Sequence, residues 1–239
     1  MKGTGDLFMV DVHTHFLPGI DDGAESVDES LEMLRTAYAQ GIRFVVATPH
    51  CHANIDEDIE FFIEARNRAF ETLNYAMRNE EGPFPEIILG AEVALNQYLP
   101  SLKQLEKLCI GDTKYILLEP LFENMSEAVS EWVYEIGLKG LKPIIAHVDR
   151  YKEDILERIG ILQLDVVFQL NASAFLFLSG TRRIRKYRMQ NRILVAGSDM
   201  HNMHIRKCEL EKAYKRSKIL NGSITDDWFE NNARMLLGL

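Results

Sequence analysis

The chain has 239 residues, 46% hydrophobic and 26% charged, and its 36 Asp and Glu against 27 Lys and Arg give a net charge of −9. That is enough chain for one α/β domain with a sizeable core, and a barrel commonly takes this length as a single domain. The acidic balance argues against bulk nucleic-acid binding, which depends on neutralising phosphates.

Cys51, Cys109 and Cys208 are widely spaced with no C-x-x-C pair, so neither a disulfide framework nor a zinc ribbon is expected. No basic segment followed by an apolar core opens the chain, and no apolar run approaches ~18 residues. The chain therefore reads as cytoplasmic and without membrane insertion. Residues 1–239 are expected to form one domain, with residues 1–7 a short N-terminal extension.

Short apolar runs alternate with amphipathic stretches, the pattern of βα units on a parallel sheet. The first strand is expected at Phe8–Val12, followed by His13-Thr14-His15 and the loop Leu17-Pro18-Gly19-Ile20-Asp21-Asp22-Gly23. In a strand, His13 and His15 share a face, which makes half of a metal site. Ser26-Val27-Asp28-Glu29 has the form of a capping box, Val27, Leu31, Leu34 and Tyr38 keep helical spacing, and Gly41 is a C′ stop.

A second strand, Phe44–Ala47, ends in Thr48-Pro49-His50, and a long helix is expected at Asp58–Arg78. Ile87–Leu89 runs into Gly90-Ala91-Glu92. A short helix at Leu99–Lys107 precedes strand Tyr115–Leu118, which ends at Glu119. Helix Ser126–Leu138 leads to strand Pro143–Ala146 and His147. Strand Val166–Leu170 ends at Asn171, and after a helical region strand Ile193–Ala196 ends in Gly197-Ser198-Asp199-Met200-His201. Helices at Ile205–Lys218 and Asp226–Leu236 complete the series.

Parallel strands joined by right-handed crossovers put their C-terminal ends on one rim, where α/β proteins carry their active sites. Here those ends and the first loop supply His13, His15, Asp22, His50, Glu92, Glu119, His147, Asp199 and His201. An imidazole and carboxylate set without thiolate suits Mn, Fe, Zn or Co. At roughly four to six ligands per ion, it implies at least two ions, with Glu92 able to bridge. Closely spaced ions deprotonate a water and clamp the oxygens of an in-line displacement at phosphorus.

Arg150 and Arg206 lie just beyond two of these ends, and a guanidinium fork matches phosphate oxygens. The alternative for Arg150 is a surface ion pair with Asp149 or Glu153. Nucleophile-elbow, Walker-type and thiol-phosphatase loops are absent. The basic run Arg182-Arg183-Ile184-Arg185-Lys186-Tyr187-Arg188 reads as a solvated helix face able to attract an acidic or multiply phosphorylated partner.

The segments D-V-H-T-H, L-P-G-I-D-D-G-A, A-T-P-H, G-A-E, L-L-E-P, A-H-V-D-R-Y, Q-L-N-A and G-S-D-M-H-N resemble the PHP (polymerase and histidinol phosphatase) superfamily. Within it the chain is most similar to the manganese-dependent bacterial tyrosine phosphatases that accompany capsule and exopolysaccharide tyrosine kinases. The resemblance covers Val10 to the last helix and implies a distorted (β/α)7 barrel holding three divalent metal ions, manganese or else iron or zinc.

It implies one ion on His13, His15, Glu92 and Asp199, a second on Glu92, Glu119 and His147, and a third on Asp22, His50 and His201. Arg150 and Arg206 would grip the phosphate of a phosphotyrosine protein, the tail of a bacterial tyrosine kinase. Cys51-His52 departs from the pattern, and His52 is given no ligand role. The alternatives are a phosphatase for a small phosphomonoester such as histidinol phosphate, which would use the same metals, an amidohydrolase, and a silent module that docks phosphorylated tails. An amidohydrolase commonly has a lysine where Glu119 stands, and a docking module needs no complete ligand set.

Overall fold

The structure, a computed structural model, describes residues 8–121, 128–220 and 228–239. The extension expected at residues 1–7 and the helix starts expected at Ser126 and Asp226 lie outside the described residues.

Among the described residues, nine parallel strands make seven staves of a barrel. A three-stranded sheet holds β1 (Met9–Thr14), β2 (Ile42–Ala47) and β4 (Glu86–Leu89). A six-stranded sheet holds, in spatial order, β3 (His50–Cys51), β5 (Glu92–Leu95), β6 (Tyr115–Pro120), β7 (Lys142–Ile145), β8 (Val167–Asn171) and β9 (Leu194–Gly197). The sequence pattern marks seven strands because β3 and β5 continue β2 and β4 after short interruptions at Thr48-Pro49 and Gly90-Ala91.

Pro49 has no N–H for the ladder, and the pairing resumes beyond it. Ala47 pairs with Leu89 before the break and His50 with Glu92 after it. The Gly90 N–H donates to Ala47 O at 2.8 Å and the Glu92 N–H to Pro49 O at 3.1 Å, which joins the two sheets. The first and last strands then meet. The Asp199 N–H donates to His13 O and the His15 N–H to Met200 O, both at 2.9 Å, beside a parallel bridge from Thr14 to Met200. The result is a closed, distorted (β/α)7 barrel.

The helices are α1 (Val27–Ala39), α2 (Asp56–Arg78), α3 (Ala128–Leu138), α4 (Glu153–Arg158), α5 (Leu178–Met189), α6 (Leu210–Leu220) and α7 (Trp228–Leu237). Ser26 caps α1 by accepting the Glu29 N–H at 3.2 Å, a contact worth about 1 kcal/mol. Glu29 reaches back to the Glu25 N–H at 3.0 Å rather than to Ser26.

Two expected helices differ. Leu99–Lys107 forms two 3-10 turns, Leu99–Ser101 and Leu105–Leu108, because Asp56 Oδ1 takes the Lys103 and Gln104 N–H groups at 2.8 and 3.1 Å. The helix expected from Ile205 begins at Leu210, because Asn202 Oδ1 collects the N–H groups of His204, Ile205 and Arg206 at 3.0, 2.8 and 3.1 Å. α4 was not marked by the sequence pattern.

Val10, Val12, Val46, Leu117, Ile144, Val167 and Val195 fill the barrel interior, with Ala233 and Leu236 of α7 packed against the same cluster. A larger apolar layer lies between strands and helices. Among the described residues no helix is long and apolar enough to cross a membrane.

Candidate metal centre

The site begins with an irregularity in β1. Asp11 pairs with Val45 and Thr14 with Ala47, so β1 has one residue more than β2 over this interval. Strict alternation would send Val12 and His13 to opposite faces. The extra residue lets Val12 join the barrel-interior cluster while His13 Nδ1 donates to Gln169 Oε1 at 3.2 Å, within the same interior. β9 passes so close that a Cβ on Gly197 would lie 2.5 Å from His13 Cβ, a position only glycine fills. The loop after β1 is folded as tightly, since a Cβ on Gly23 would lie 1.9 Å from His15 O.

All nine side chains named from the sequence meet at this rim. His13 Nε2 and His15 Nε2 lie 3.1 Å apart. Glu92 Oε2 is 3.0 and 3.2 Å from them, and Asp199 Oδ1 is 3.7 Å from each. On the other side of Glu92, Oε1 is 2.9 Å from His147 Nε2, which is 3.3 Å from Glu119 Oε1. Asp22 Oδ1 is 3.3 Å from both His50 Nε2 and His201 Nε2, and His50 Nδ1 is 3.2 Å from Glu92 Oε2.

Three overlapping groups are close enough to share an ion: His13, His15 and Asp199; His50, Glu92 and Glu119; and His15, Asp22, His50 and His201. His50 thus stands with Glu92 and Glu119 where His147 was expected, and His147, though 2.9 Å from Glu92, falls outside all three. Ligand atoms about 2 Å from one ion sit roughly 3–3.5 Å from each other, so the spacing fits. The buried Nε2 of His201 has no hydrogen-bond partner among the described residues, although Asp22 Oδ1 is near it. Two imidazole nitrogens facing each other across 3.1 Å, the unpartnered Nε2 of His201 and carboxylates shared between histidines are what a cation would organise. A second buried ring nitrogen, His147 Nδ1, also has no hydrogen-bond partner among the described residues. His147 (φ 30°) and Asp199 (φ 55°) hold left-handed backbone, strain placed at two candidate ligands.

The electrostatics agree. Burial is the largest influence on Glu92 and would raise its pKa, but charge on His13 and hydrogen bonds from His13, His147 and His15 together hold it well below the carboxylate range. Burial likewise pushes His15 and His147 down, yet carboxylate hydrogen bonds outweigh it and lift each to about 9. The partners are Asp21 and Glu92 for His15, and Glu119 and Glu92 for His147. Without metal the cluster therefore draws in protons to balance its carboxylates. His201 goes the other way, lowered to about 4 by burial and by the charges of His15 and Arg206.

Arg206 Nη2 donates to Asp199 Oδ1 at 2.8 Å, and Nη1 lies 3.6 Å from Asp22 Oδ2. Arg150 is exposed and makes no ion pair with a described residue; Asp149 instead accepts the Asn171 N–H at 2.8 Å, and Glu153 pairs with Lys186. Both arginines line one cavity of about 390 Å³ with Asn171, Ser173, Asp199 and Lys207. Cys51 is buried inertly, its thiol pushed up to about 12 by burial, and His52 belongs to none of the three groups.

Sequence reasoning passed over the residues that aim these ligands. Asp21 Oδ2 accepts from His15 Nδ1 at 2.7 Å and from the His50 N–H at 3.1 Å, while Oδ1 takes the Gly23 N–H at 2.9 Å. The Asp-x-Gly turn signature was its available signal. Gln169 Oε1 accepts from His13 Nδ1 and, at 2.5 Å, from the His147 N–H; its Nε2 donates to Asn171 Oδ1 at 3.1 Å. Asn171 Nδ2 in turn donates to Asp199 Oδ2 at 2.9 Å. Period two along β8 places Gln169 on the face of Asn171.

The family described as Capsular polysaccharide synthesis, CpsB/CapC, matches residues 9–238. The chain belongs to the CpsB/CapC family. This CpsB/CapC protein is 29% identical over 238 residues to the tyrosine-protein phosphatase YwqE of Bacillus subtilis (strain 168), covering 96% of this chain and 91% of YwqE. It is 27% identical over 227 residues to the tyrosine-protein phosphatase CpsB of Streptococcus pneumoniae, covering 86% and 88%.

A solved structure from the work on YwqE from Bacillus subtilis and CpsB from Streptococcus pneumoniae, described as unique metal-dependent tyrosine phosphatases, superposes with a TM-score of 0.75. The identity there is 25%, over 96% of this chain and 94% of that one. The phosphotriesterase homology protein from Escherichia coli, at 12% identity and a TM-score of 0.54 over 98% and 99% of the two chains, shares the fold with this CpsB/CapC protein.

Proposed function

We propose that this CpsB/CapC protein is a cytoplasmic, metal-dependent protein-tyrosine phosphatase that acts on the tail of a bacterial tyrosine kinase in capsule or exopolysaccharide control. The nine rim residues would hold three divalent ions, manganese first. One observation carries this reading: Glu92, almost fully buried, has imidazole nitrogens of His13, His15, His50 and His147 within 3.2 Å of its two oxygens. A carboxylate so surrounded would be available to more than one ion.

Bound there, divalent ions would supply Lewis-acid charge and an acidic water at phosphorus. The chain supplies position and counter-charge. Arg206, braced by Asp199, and the exposed Arg150 face one cavity, where two guanidinium groups can take non-bridging phosphate oxygens as charge builds. Asp21 and Gln169 each accept a hydrogen bond from Nδ1–H of a histidine, which leaves Nε2 of His15 and His13 free to ligate. A phenolate leaving group, pKa about 10, needs little protonation.

The test is phosphate release from a tyrosine-phosphorylated peptide and from histidinol phosphate, side by side, with Mn²⁺ and then with chelator. Metal-dependent turnover favouring the peptide supports the proposal. A preference for histidinol phosphate moves the enzyme to small-molecule chemistry, and turnover unaffected by chelator removes the metals.

A further inference from the structure

The basic run on α5 belongs to a larger charge segregation. Between Leu178 and Lys218 there are 12 Lys and Arg against 3 Asp and Glu, net +9, whereas the other 198 residues carry 15 against 33, net −18. The fold gathers this segment beside the site. The turn Ala172–Leu176 leaves the rim directly after Asn171, and both α5 and α6 pack against it. Ser173 of that turn lines the cavity that also holds Arg150, Arg206 and Lys207. α5 is fastened to the Arg150 turn as well, since Arg183 donates to the carbonyls of Asp149 at 2.8 Å and Tyr151 at 2.7 Å.

Several of these cations are already engaged. Arg183 is held by carbonyls, Arg192 by the carbonyls of Leu162 and Leu164, and Lys186, Lys212 and Lys215 by Glu153, Glu209 and Glu211. Arg182, Arg185 and Lys207 are different: each is exposed and makes no ion pair with a described residue. Exposed apolar side chains accompany them, Phe177 and Leu178 at the start of α5 and Ile205 on the cavity wall.

We propose that Arg182, Arg185 and Lys207 form a docking track for an acidic stretch of polypeptide flanking the phosphorylated residue, leading past Arg150 into the site. This rests on the phosphatase reading above. A peptide fits better than an anionic membrane for two reasons. Lys207 lines one concave cavity with the site's own arginines, and α5, which carries Arg182 and Arg185, is fastened to the Arg150 turn, so an extended chain can follow these cations toward the site. The remaining net charge of −18 would be repelled by an anionic lipid surface. Charge of this kind acts chiefly on encounter, so its effect belongs in kcat/KM and fades with salt.

The experiment compares a phosphotyrosine peptide flanked by Asp and Glu with the same peptide carrying Asn and Gln, on wild type and on the double variant R182E/R185E. At low ionic strength wild type is expected to favour the acidic peptide by about tenfold in kcat/KM, and the preference should shrink as salt is added. R182E/R185E should lose that preference while turning over p-nitrophenyl phosphate at the wild-type rate.

Equal rates for both peptides on wild type, or a preference that survives the double variant, overturn the proposal. So does binding to phosphatidylglycerol vesicles that R182E/R185E abolishes while the peptide preference remains, since the patch is then a membrane face. If neither peptide is hydrolysed, the phosphatase reading fails separately. Docking is then read from fluorescence anisotropy of the labelled acidic peptide: binding lost in R182E/R185E supports it, and equal binding overturns it.

Discussion

The two ends of the barrel interior are built from the same strands and differ only in distance along them. Toward the N-terminal ends lie Val10, Val12, Leu117, Ile144, Val167 and Val195, packed against α7. One to four residues further along, these strands and their ends present His13, Glu119, His147, Gln169 and Asp199. The first end is held by burial, which has no preferred direction and tolerates shape changes at modest cost. The second is held by hydrogen bonds and charge, where each donor has one useful direction and a missing partner leaves a buried charge. Stability and chemistry are thus carried by successive turns of the same staves, and they should fail separately.

The sharpest way to break that separation is at a candidate ligand. Asp199→Ala is expected to lower metal-dependent turnover by about 10²–10³-fold or more while leaving a folded protein, checked by steady-state kinetics and circular dichroism. A wild-type rate would remove Asp199 from the chemistry. The apolar end should behave in reverse. Leu117→Ala is expected to cost about 2–5 kcal/mol in denaturant unfolding, with kcat close to wild type well below the melting temperature. A large loss of kcat in the folded protein would mean the two ends are coupled.

Gln169 sits where the ends meet. Gln169→Leu keeps the volume and removes the acceptor for His13 Nδ1 and the His147 N–H. Metal affinity should drop about 10–100-fold, read by calorimetric titration with Mn²⁺, with a much smaller change in metal-free melting temperature. Equal affinity with a lowered melting temperature would make Gln169 part of the support alone.

The smallest effect is in pH. His15 and His147 have folded pKa values raised to about 9, so in chelated protein their contribution is full below the ordinary value of about 6.5 and is lost as pH rises through about 9. The chelated protein should therefore melt at progressively lower temperature from pH 6.5 to 9. Metal-loaded protein should not follow, because ligation replaces those protons, and metal uptake near neutral pH should release protons into a weakly buffered solution. Parallel melting curves would contradict the proposed ligand roles of these histidines.

Much of this was legible in the sequence because six of the seven strand ends are punctuated alike, an apolar run followed closely by a His, Asp or Glu, with Asn171 at the other. The seven staves and the meeting of all nine rim side chains follow from that grammar. Other features were hidden for physical reasons. The extra residue in β1 cannot be seen in a pattern that assumes alternation, since it brings the adjacent Val12 and His13 to one side. The restarts at β3 and β5 look like strand ends because Thr48-Pro49 and Gly90-Ala91 read as turns. Leu99–Lys107 has helical spacing, yet a carboxylate more than 40 positions away, Asp56, takes two of its N–H groups. Asp21 and Gln169 act on ligands rather than on metal, so no ligand motif points to them.

The seam between β1 and β9 has one more consequence. It is closed by the backbones of His13, His15, Asp199 and Met200, so the candidate centre straddles the join between the beginning of the chain and its last fifth. During synthesis, a nascent chain that has displayed His13 and His15 lacks Asp199 and His201 until the last stave, β9, has been made. Ions captured there would act as a late clasp, fastening the ring only after every stave is in place, and a chain truncated before Asp199 would offer no complete centre to load.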